Sequence, residues 1–146
     1  MHQGSCLCNA VKFEFSEFVG DLVYCHCKSC RKSSGSAFGV NISVPIASFN
    51  LIEGKETIKS FQSSPTKLRH FCGDCGSPLY TKVGQNPSVL RVRLGTLDTE
   101  FNKQPVAHIF MSHRAGWDEP DNQVPSFSEW PSNEVLKIHG SHQPKV

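Results

Sequence analysis

Seven cysteines occur in this 146-residue chain, and they fall into three short groups. The groups are Cys6-Leu7-Cys8, Cys25-His26-Cys27 followed by Cys30, and Cys72-Gly73-Asp74-Cys75. An odd number of cysteines cannot all pair as disulfides, and disulfide scaffolds of this kind belong to secreted proteins. The C-x-C and C-x-x-C spacings are instead typical of the half-sites that bind metal ions. This spacing constrains the fold most, because the chain must bring the groups together around the metal.

The cysteines divide most simply into a set of three and a set of four. Cys25, Cys27 and Cys30 follow one another closely enough to hold one ion, and we call them the triad. The other four, which we call the tetrad, are Cys6, Cys8, Cys72 and Cys75. In an extended strand the side chains of residues i and i+2 share a face, so each C-x-C is expected to present two sulfurs to one ion. Gly73 and Gly76 predict a tight turn that does the same for the C-x-x-C.

The two sets predict two different kinds of site. Four thiolates make a closed, tetrahedral zinc site of the structural kind, with iron in a four-sulfur site as the competing interpretation. Three thiolates leave one coordination position vacant, as catalytic zinc sites do. Two alternatives stay open for the triad. One is a redox or metal-sensing cluster, and the other is a closed site completed by a histidine. The candidate histidines are His26, which on a strand would point away from the two flanking sulfurs, and His70, His108 and His113.

The rest of the chain predicts a mainly β fold in one domain. Short β-rich runs separated by Gly, Pro, Asn and Ser cover residues 11–15, 38–45, 56–62, 77–83 and 89–95. Residues 30–39, rich in Ser and Gly, are interpreted as a loop with at most one helical turn. We therefore expect a small antiparallel β-sheet domain stapled by zinc over residues 1–131, followed by a polar tail over 132–146.

Charge and hydropathy indicate which partners and which cellular location to expect. The formal net charge is only +2, and Lys and Arg form no block or stripe along the sequence, so we expect no nucleic-acid partner. The beginning of the chain lacks the pattern of a secretion signal, and no run approaches the roughly 18 apolar residues of a membrane span. We expect a cytoplasmic protein that does not enter membranes; the oligomeric state stays open.

Six separated stretches resemble one known family in sequence and order. They are "GSCLCNAVKFEF", "CHCKSCRKSSGSAF", "FCGDCGSPLY", "GTLD", "HIFMSHRAGW" and "FSEWP", which together extend over about residues 4–131. These motifs are similar to the glutathione-dependent formaldehyde-activating enzyme family, whose domain type also occurs in centromere protein V. The resemblance implies a β-tent type of zinc fold, a structural zinc in the tetrad and a catalytic zinc in the triad. The chain departs from the family at His113, Arg114 and Gly116, where Ser-Lys-Ala-Pro-Trp is more usual, and this concerns substrate specificity more than metal binding.

The chemistry of the triad is consistent with the activity that the resemblance implies. Three thiolates around a divalent zinc ion leave a net charge of about −1, which makes a poor activator of water but a soft site for a fourth thiolate. Metal coordination deprotonates a thiol, so glutathione would bind there as a nucleophile. Its attack on formaldehyde would give S-hydroxymethylglutathione, and the reverse reaction is that of a carbon–sulfur lyase. The expected cofactor is zinc, two ions per chain, and the expected partners are a small thiol and a small aldehyde.

Candidates for binding anionic glutathione follow the triad directly. Arg31 and Lys32 are the nearest cations, and Ser33 begins a run of free backbone N–H groups. Asp98, in "GTLD", could orient a proton or a ligand. Each has a plainer interpretation, since Arg31 and Lys32 could be a solvated surface pair and Asp98 a turn former.

A second function class stays open at this point. The same two zinc sites could belong to a non-catalytic module for ligand or protein binding, as the centromere relatives suggest. An enzyme should lose thiol binding but keep its fold when Cys30 is replaced. A purely structural module should lose folding when either site is damaged.

Overall fold

The computed structural model describes residues 1–132, and β-strands dominate this part of the chain. The first five strands are β1 (His2–Ser5), β2 (Lys12–Phe15), β3 (Tyr24–Cys25), β4 (Gly39–Pro45) and β5 (Phe49–Glu53). The next five are β6 (Ile58–Ser64), β7 (Lys67–Cys72), β8 (Pro78–Val83), β9 (Val89–Arg93) and β10 (His108–Ile109). A single α-helix, α1 (Lys28–Ser34), is described, together with four short 3₁₀ turns. The mainly β prediction is confirmed.

The strands form two sheets. One has three strands in the order β1-β2-β5, and the other has seven in the order β10-β3-β4-β9-β8-β7-β6. Neighbouring strands run antiparallel except for β10 and β3, which pair in parallel. All five β-rich runs in the sequence correspond to strands, although β6 begins at Ile58 because Lys55–Thr57 form a 3₁₀ turn.

The hydrophobic core is formed by apolar side chains from strands of both sheets. Phe13 and Phe15 of β2 are buried in one cluster with Ile42 of β4 and Val92 of β9. Alternation along β9 explains this, because Leu90 and Val92 share one face of the strand while Arg91 and Arg93 share the other. Burial of side chains of this size stabilises the fold by roughly 1.5–3 kcal/mol each. The large sheet thus has one apolar face and one face free to carry polar groups.

On the polar face, strand register collects cations that are far apart in sequence. Arg91 pairs with Ser43 on one side and with Thr81 on the other, and Thr81 pairs with Arg69. Lys67 lies two residues before Arg69 on β7, so its side chain emerges on the same face. Lys and Arg are dispersed along the sequence, but the fold brings these three together.

The segment interpreted as a loop over residues 30–39 begins as a helix. The helical turn that the prediction allowed is present, but it begins earlier, at Lys28, because the cysteines themselves start the helix: Cys27 is its N-cap, and its sulfur accepts a hydrogen bond from the backbone N–H of Cys30 at 3.3 Å. Gly35 ends it in the left-handed conformation, at φ 67°, and donates its N–H to the carbonyl of Arg31. Cys30 therefore sits on a helix.

The expectation that each C-x-C lies on an extended strand was wrong. Cys6 and Cys8 follow β1 in a turn, where Asn9 has a positive φ of 63° and donates its N–H to the carbonyl of Cys6. Cys25 ends β3, while Cys27 already caps α1. Turns and caps expose backbone N–H groups that a strand ladder would consume, and these groups reach the sulfurs.

Two further expectations concern the C-terminal tail and membrane-spanning helices. The predicted tail over 132–146 lies outside the described residues from 133 onward. Among the described residues, no helix is long and apolar enough to cross a membrane.

Candidate metal centres

The four tetrad cysteines converge although more than sixty residues separate the two pairs. The sulfurs of Cys6, Cys8, Cys72 and Cys75 all lie within 4.8 Å of one another. Cys6 and Cys72 are buried, whereas Cys8 is exposed. The turn after β1 supplies one pair, and the turn after β7 supplies the other, where Gly76 adopts a positive φ of 77°. The predicted glycine-dependent turn is confirmed at Gly76.

Backbone N–H groups point at the tetrad sulfurs. Val11 donates to the sulfur of Cys6 at 3.3 Å, and Cys75 donates to the sulfur of Cys72 at 3.5 Å. The sulfur of Cys75 also lies 3.2 Å from the hydroxyl oxygen of Ser77. Hydrogen bonds from Ser77, led by its side chain, lower the pKa of Cys75 to about 5. Such donors favour the thiolate form that a metal requires.

The tetrad fits zinc in size as well as in chemistry. Zinc–sulfur bonds of about 2.3 Å in a tetrahedron imply sulfur–sulfur separations of about 3.8 Å. The sulfur of Cys8 lies 3.6 Å from that of Cys6 and 3.8 Å from that of Cys72. All seven cysteines are free thiols, so none is diverted into a disulfide. The tetrad could therefore hold a metal ion with its own four ligands.

The triad forms a second cluster at the start of α1. The sulfurs of Cys25, Cys27 and Cys30 lie within 4.8 Å of one another, and all three residues are buried. In the described part of the chain, no histidine or carboxylate joins them at that distance. The triad could therefore hold an ion with three sulfurs, and residues 1–132 add no fourth ligand at that distance.

The histidines that could have closed the site lie in other contacts. His26 is fully buried, and its Nε2 shares a hydrogen bond of 2.8 Å with Nδ1 of His108. Its Nδ1 lies 3.9 Å from a carboxylate oxygen of Asp118. His70 stacks on Tyr80 with ring centroids 4.5 Å apart.

The remaining candidate, His113, packs beside Phe110, with ring centroids 5.6 Å apart. Phe110 itself has a left-handed backbone at φ 56°, which is uncommon for a bulky residue. None of the four histidines thus contributes a ligand to the triad in this arrangement.

Two arginines lie beside the triad and compensate its negative charge. The pKa of Cys30 is held well below its ordinary value, first by hydrogen bonds from Cys25 and Cys27 and then by the charges of Arg93 and Arg69. A β-carbon built on Gly39 would approach Nη1 of Arg93 to 2.2 Å and the β-carbon of Cys30 to 3.4 Å. The guanidinium thus occupies space that only a glycine leaves open next to Cys30.

Ser33 holds both arginines in place. Its hydroxyl oxygen accepts from Nη2 of Arg93 at 2.7 Å and from Nη1 of Arg69 at 3.2 Å, and it donates to the carbonyl of Cys30. One hydroxyl thereby uses its donor and both acceptor positions inside the protein. The sequence predicted Ser33 as a substrate contact, and the structure places it as a link between the triad helix and two strands.

A cleft that opens to solvent is lined by the triad, and its volume of about 70 Å³ is well below the roughly 300–1,000 Å³ of typical small-molecule pockets. Besides the three cysteines it is lined by polar residues from the sheet, by Asp21, and by apolar residues. The polar residues are Asn41, Lys67, Arg69, Thr81 and Arg91, and the apolar ones are Val23, Val83, Ile109, Phe110 and Trp130. The sequence analysis missed these cations. The signal for Arg91 was the alternation of Arg with apolar residues in "VLRVR", and for Lys67 and Arg69 the alternation in "KLR".

The other predicted substrate contacts lie elsewhere. Arg31 donates to the carbonyl of His113 at 2.8 Å, and together with Lys32 it lines a separate shallow hollow beside Trp117. The carboxylate of Asp98 accepts from the hydroxyl of Ser5 at 2.7 Å, next to the tetrad turn. None of these side chains is among the described residues that line the triad cleft.

The fold and its site define a small β protein with two cysteine clusters that could each hold a metal ion, one closed and one short of a ligand. The chain belongs to the glutathione-dependent formaldehyde-activating enzyme family, whose family model matches residues 1–113. The match includes every cysteine of both clusters, and the resemblance seen in the motifs is confirmed.

Individual relatives agree with this assignment at low identity. A Halomonas elongata protein named after this enzyme family is 26% identical over 147 residues, which cover 94% of this chain and 93% of that protein. An uncharacterized lyase of Schizosaccharomyces pombe is 30% identical over 88 residues, covering 59% of this chain and 62% of its own length. A similarly named protein of Phaeosphaeria nodorum is 26% identical over 115 residues, and the match spans only 54% of its length.

A solved structure is similar in fold. The crystal structure of a Rhodobacter sphaeroides protein superposes with a TM-score of 0.58 at 23% identity, covering 68% of this chain and 91% of that one. At this identity the similarity supports the fold and carries no statement about activity.

Proposed function

We propose that this protein joins glutathione to formaldehyde, giving S-hydroxymethylglutathione, and that it catalyses the reverse carbon–sulfur cleavage. The observation that carries the proposal is the triad: three sulfurs within 4.8 Å of one another, lining a cleft and joined by no fourth ligand among residues 1–132. Membership of the family and the lyase name of the Schizosaccharomyces pombe relative support it.

We propose one zinc ion in each cluster. The tetrad would hold a structural ion with Cys6, Cys8, Cys72 and Cys75, and the triad would hold the other with Cys25, Cys27 and Cys30. When bound at the triad, zinc would supply a soft fourth position that takes up a thiol and removes its proton. The cysteines fix where that thiol sits, which is beside Arg93 and Arg69 and in reach of the cleft.

The remaining chemistry is a carbonyl addition. The sulfur lone pair forms a bond to the carbon of formaldehyde, the C=O π pair moves to the oxygen, and that oxygen takes a proton from solvent in place of the one the thiol gave up. Phe110 and Trp130 pack edge to face in the lining of the cleft, with ring centroids 6.0 Å apart. The residues thus bind and orient the thiol, while formaldehyde is electrophilic enough to need little activation.

We also propose that the protein works in the cytoplasm on small molecules. All seven cysteines are free in the structure, which suits a reducing compartment. Two metal centres built from free thiolates would be lost to disulfide formation in an oxidising one.

The test is the rate at which glutathione and formaldehyde exchange with their adduct. Two-dimensional exchange NMR on ¹³C-formaldehyde and glutathione should show faster exchange with the wild-type protein than in buffer alone. Cys30→Ser should return the rate to that of buffer, whereas Gly95→Ala, which changes a residue with open space around it, should not. Wild-type protein that leaves the exchange rate unchanged would favour the non-catalytic zinc module.

A further inference from the structure

The cleft beside the triad has a marked charge asymmetry. Lys67 and Arg69 reach it from β7, and Arg91 reaches it from β9. The one acidic residue among the described lining residues is Asp21, which lies 3.9 Å from Nζ of Lys103. The three cations outweigh this carboxylate together with the charge of about −1 expected for a zinc-loaded triad, so the cleft keeps a net charge of about +1.

Arg91 is the cation whose surroundings point most clearly to a ligand. Its Nη1 donates to the hydroxyl of Ser43 at 2.7 Å, but its Nη2 is buried and has no hydrogen-bond partner among the described residues. Burial lowers the pKa of Arg91 to about 10, so the guanidinium is still positive at neutral pH. A buried N–H on a charged group is costly to leave unpaired, and an anion in the cleft would supply the missing acceptor.

Arg69 and Lys67 extend this positive surface along the sheet. Arg69 is oriented by two hydroxyl groups, since its Nε donates to Ser63 at 2.9 Å and its Nη1 to Ser33 at 3.2 Å. Hydroxyls fix the position of the guanidinium without neutralising its charge. Because Arg69 and Arg91 both pair with Thr81 in the sheet, they flank one strand and face the same cleft.

We propose that Lys67, Arg69 and Arg91 form a carboxylate subsite that makes the triad selective for thiols carrying a carboxylate. The proposal rests on the proposed function in one respect, namely that the thiol end of the substrate is held at the triad. Arginine binds carboxylates through paired, charge-assisted hydrogen bonds, which add geometry as well as affinity. A thiol that enters with its sulfur at the triad then places its carboxylate on the sheet, and neutral thiols lack this second contact.

Isothermal titration calorimetry on the zinc-loaded protein tests the subsite with two small thiols of similar size. 3-Mercaptopropionate should bind about tenfold or more tightly than 2-mercaptoethanol, the range expected for a charge-assisted hydrogen bond. Arg91→Met should remove most of that difference, measured as the ratio of the two affinities. Lys67→Met changes a less enclosed residue and repeats the test should Arg91→Met fail to fold. The matched control is Arg114→Met, which removes a cation whose contacts are with Asp118 and Glu119.

S-methylglutathione separates this proposal from the proposed function, because it keeps both carboxylates and has no free thiol. Its weaker binding should fall in Arg91→Met and persist in Cys30→Ser. If the two small thiols bind wild-type protein equally well, the subsite is refuted while thiol binding at the triad stands. If neither thiol binds but S-methylglutathione depends on Arg91, the proposed function and the selectivity for thiols both fail, and only the carboxylate contact at Arg91 stands. If none of the three ligands binds, the proposed function and the subsite both fail. A loss of 3-mercaptopropionate affinity in Arg114→Met equal to the loss in Arg91→Met also overturns the subsite.

Discussion

Replacing Gly39 with alanine should displace Arg93 from its place beside Cys30. The new β-carbon would lie 2.2 Å from Nη1 of Arg93, whereas ordinary contacts begin at 3.4 Å. The guanidinium must therefore shift away from residue 39, and we expect it to lose the 2.7 Å hydrogen bond that its Nη2 donates to the hydroxyl of Ser33. Gly39 has no positive φ, so backbone strain does not contribute to the effect.

The expected loss follows from the broken hydrogen bond. A hydrogen bond from a charged donor contributes about 1.5–3 kcal/mol, so Gly39→Ala should lower the free energy of unfolding by about 2 kcal/mol. In a chain of this size that corresponds to a fall in Tm of about 4–8 °C. The displaced charge should also weaken metal binding at the triad, because Arg93 is one of the cations that offset the thiolates.

Thermal unfolding of the zinc-loaded protein, followed by circular dichroism, measures the first effect, and chelator competition measures the second. Gly95→Ala is the matched control, since a β-carbon there meets no atom within 4 Å and the unfolded chain loses the same freedom in both variants. A Tm for Gly39→Ala within about 1 °C of that of Gly95→Ala would refute the placement of Arg93.

Three further outcomes are expected. Cys72→Ser, at a fully buried tetrad residue, should leave the chain largely unfolded by circular dichroism, because a structural zinc contributes about as much free energy as the whole fold; a folded variant with one zinc would contradict this. Ser33→Ala removes the shared acceptor of Arg69 and Arg93 and should lower the Tm by several degrees, with an unchanged Tm as the opposing result. Burial lowers the pKa of His70 below its ordinary value of 6.5. As the pH falls through 6.5, His70 is therefore protonated in the unfolded chain before it is protonated in the folded protein, and the free energy of unfolding decreases. His70→Gln should therefore lose less of its free energy of unfolding than wild type between pH 7.5 and pH 5.5. Denaturant unfolding at equal zinc content measures this, and equal losses in the two proteins would argue against it.

The division of the cysteines could be predicted from sequence because it depends on local spacing. Three cysteines within six positions can reach one ion whatever the rest of the fold does, which leaves the tetrad by elimination. Five of the ten described strands were predictable for a similar reason, since alternation is a local signal. The start of the short helix was missed because its capping residue is Cys27, which is not an ordinary helix cap.

The substrate side of the site could not be predicted because it depends on strand register. Strand β8 separates Lys67 and Arg69 from Arg91 in the sequence. Only the pairing of both arginines with Thr81 brings them to one cleft. Proximity to Cys30 in sequence favoured Arg31 instead, but the helix turns that side chain toward the carbonyl of His113. Residues adjacent in sequence on a helix point in different directions, so neighbours of a metal ligand are poor predictors of neighbours of the metal.

The central claim is that the triad holds a metal ion whose missing ligand is the thiol of the substrate. Zinc content and glutathione titration of wild type and Cys30→Ser test it directly. The account predicts two zinc ions and glutathione binding in wild type, and one zinc ion, a preserved fold and no glutathione binding in Cys30→Ser. Two zinc ions in both proteins, with glutathione bound equally well or by neither, would contradict it.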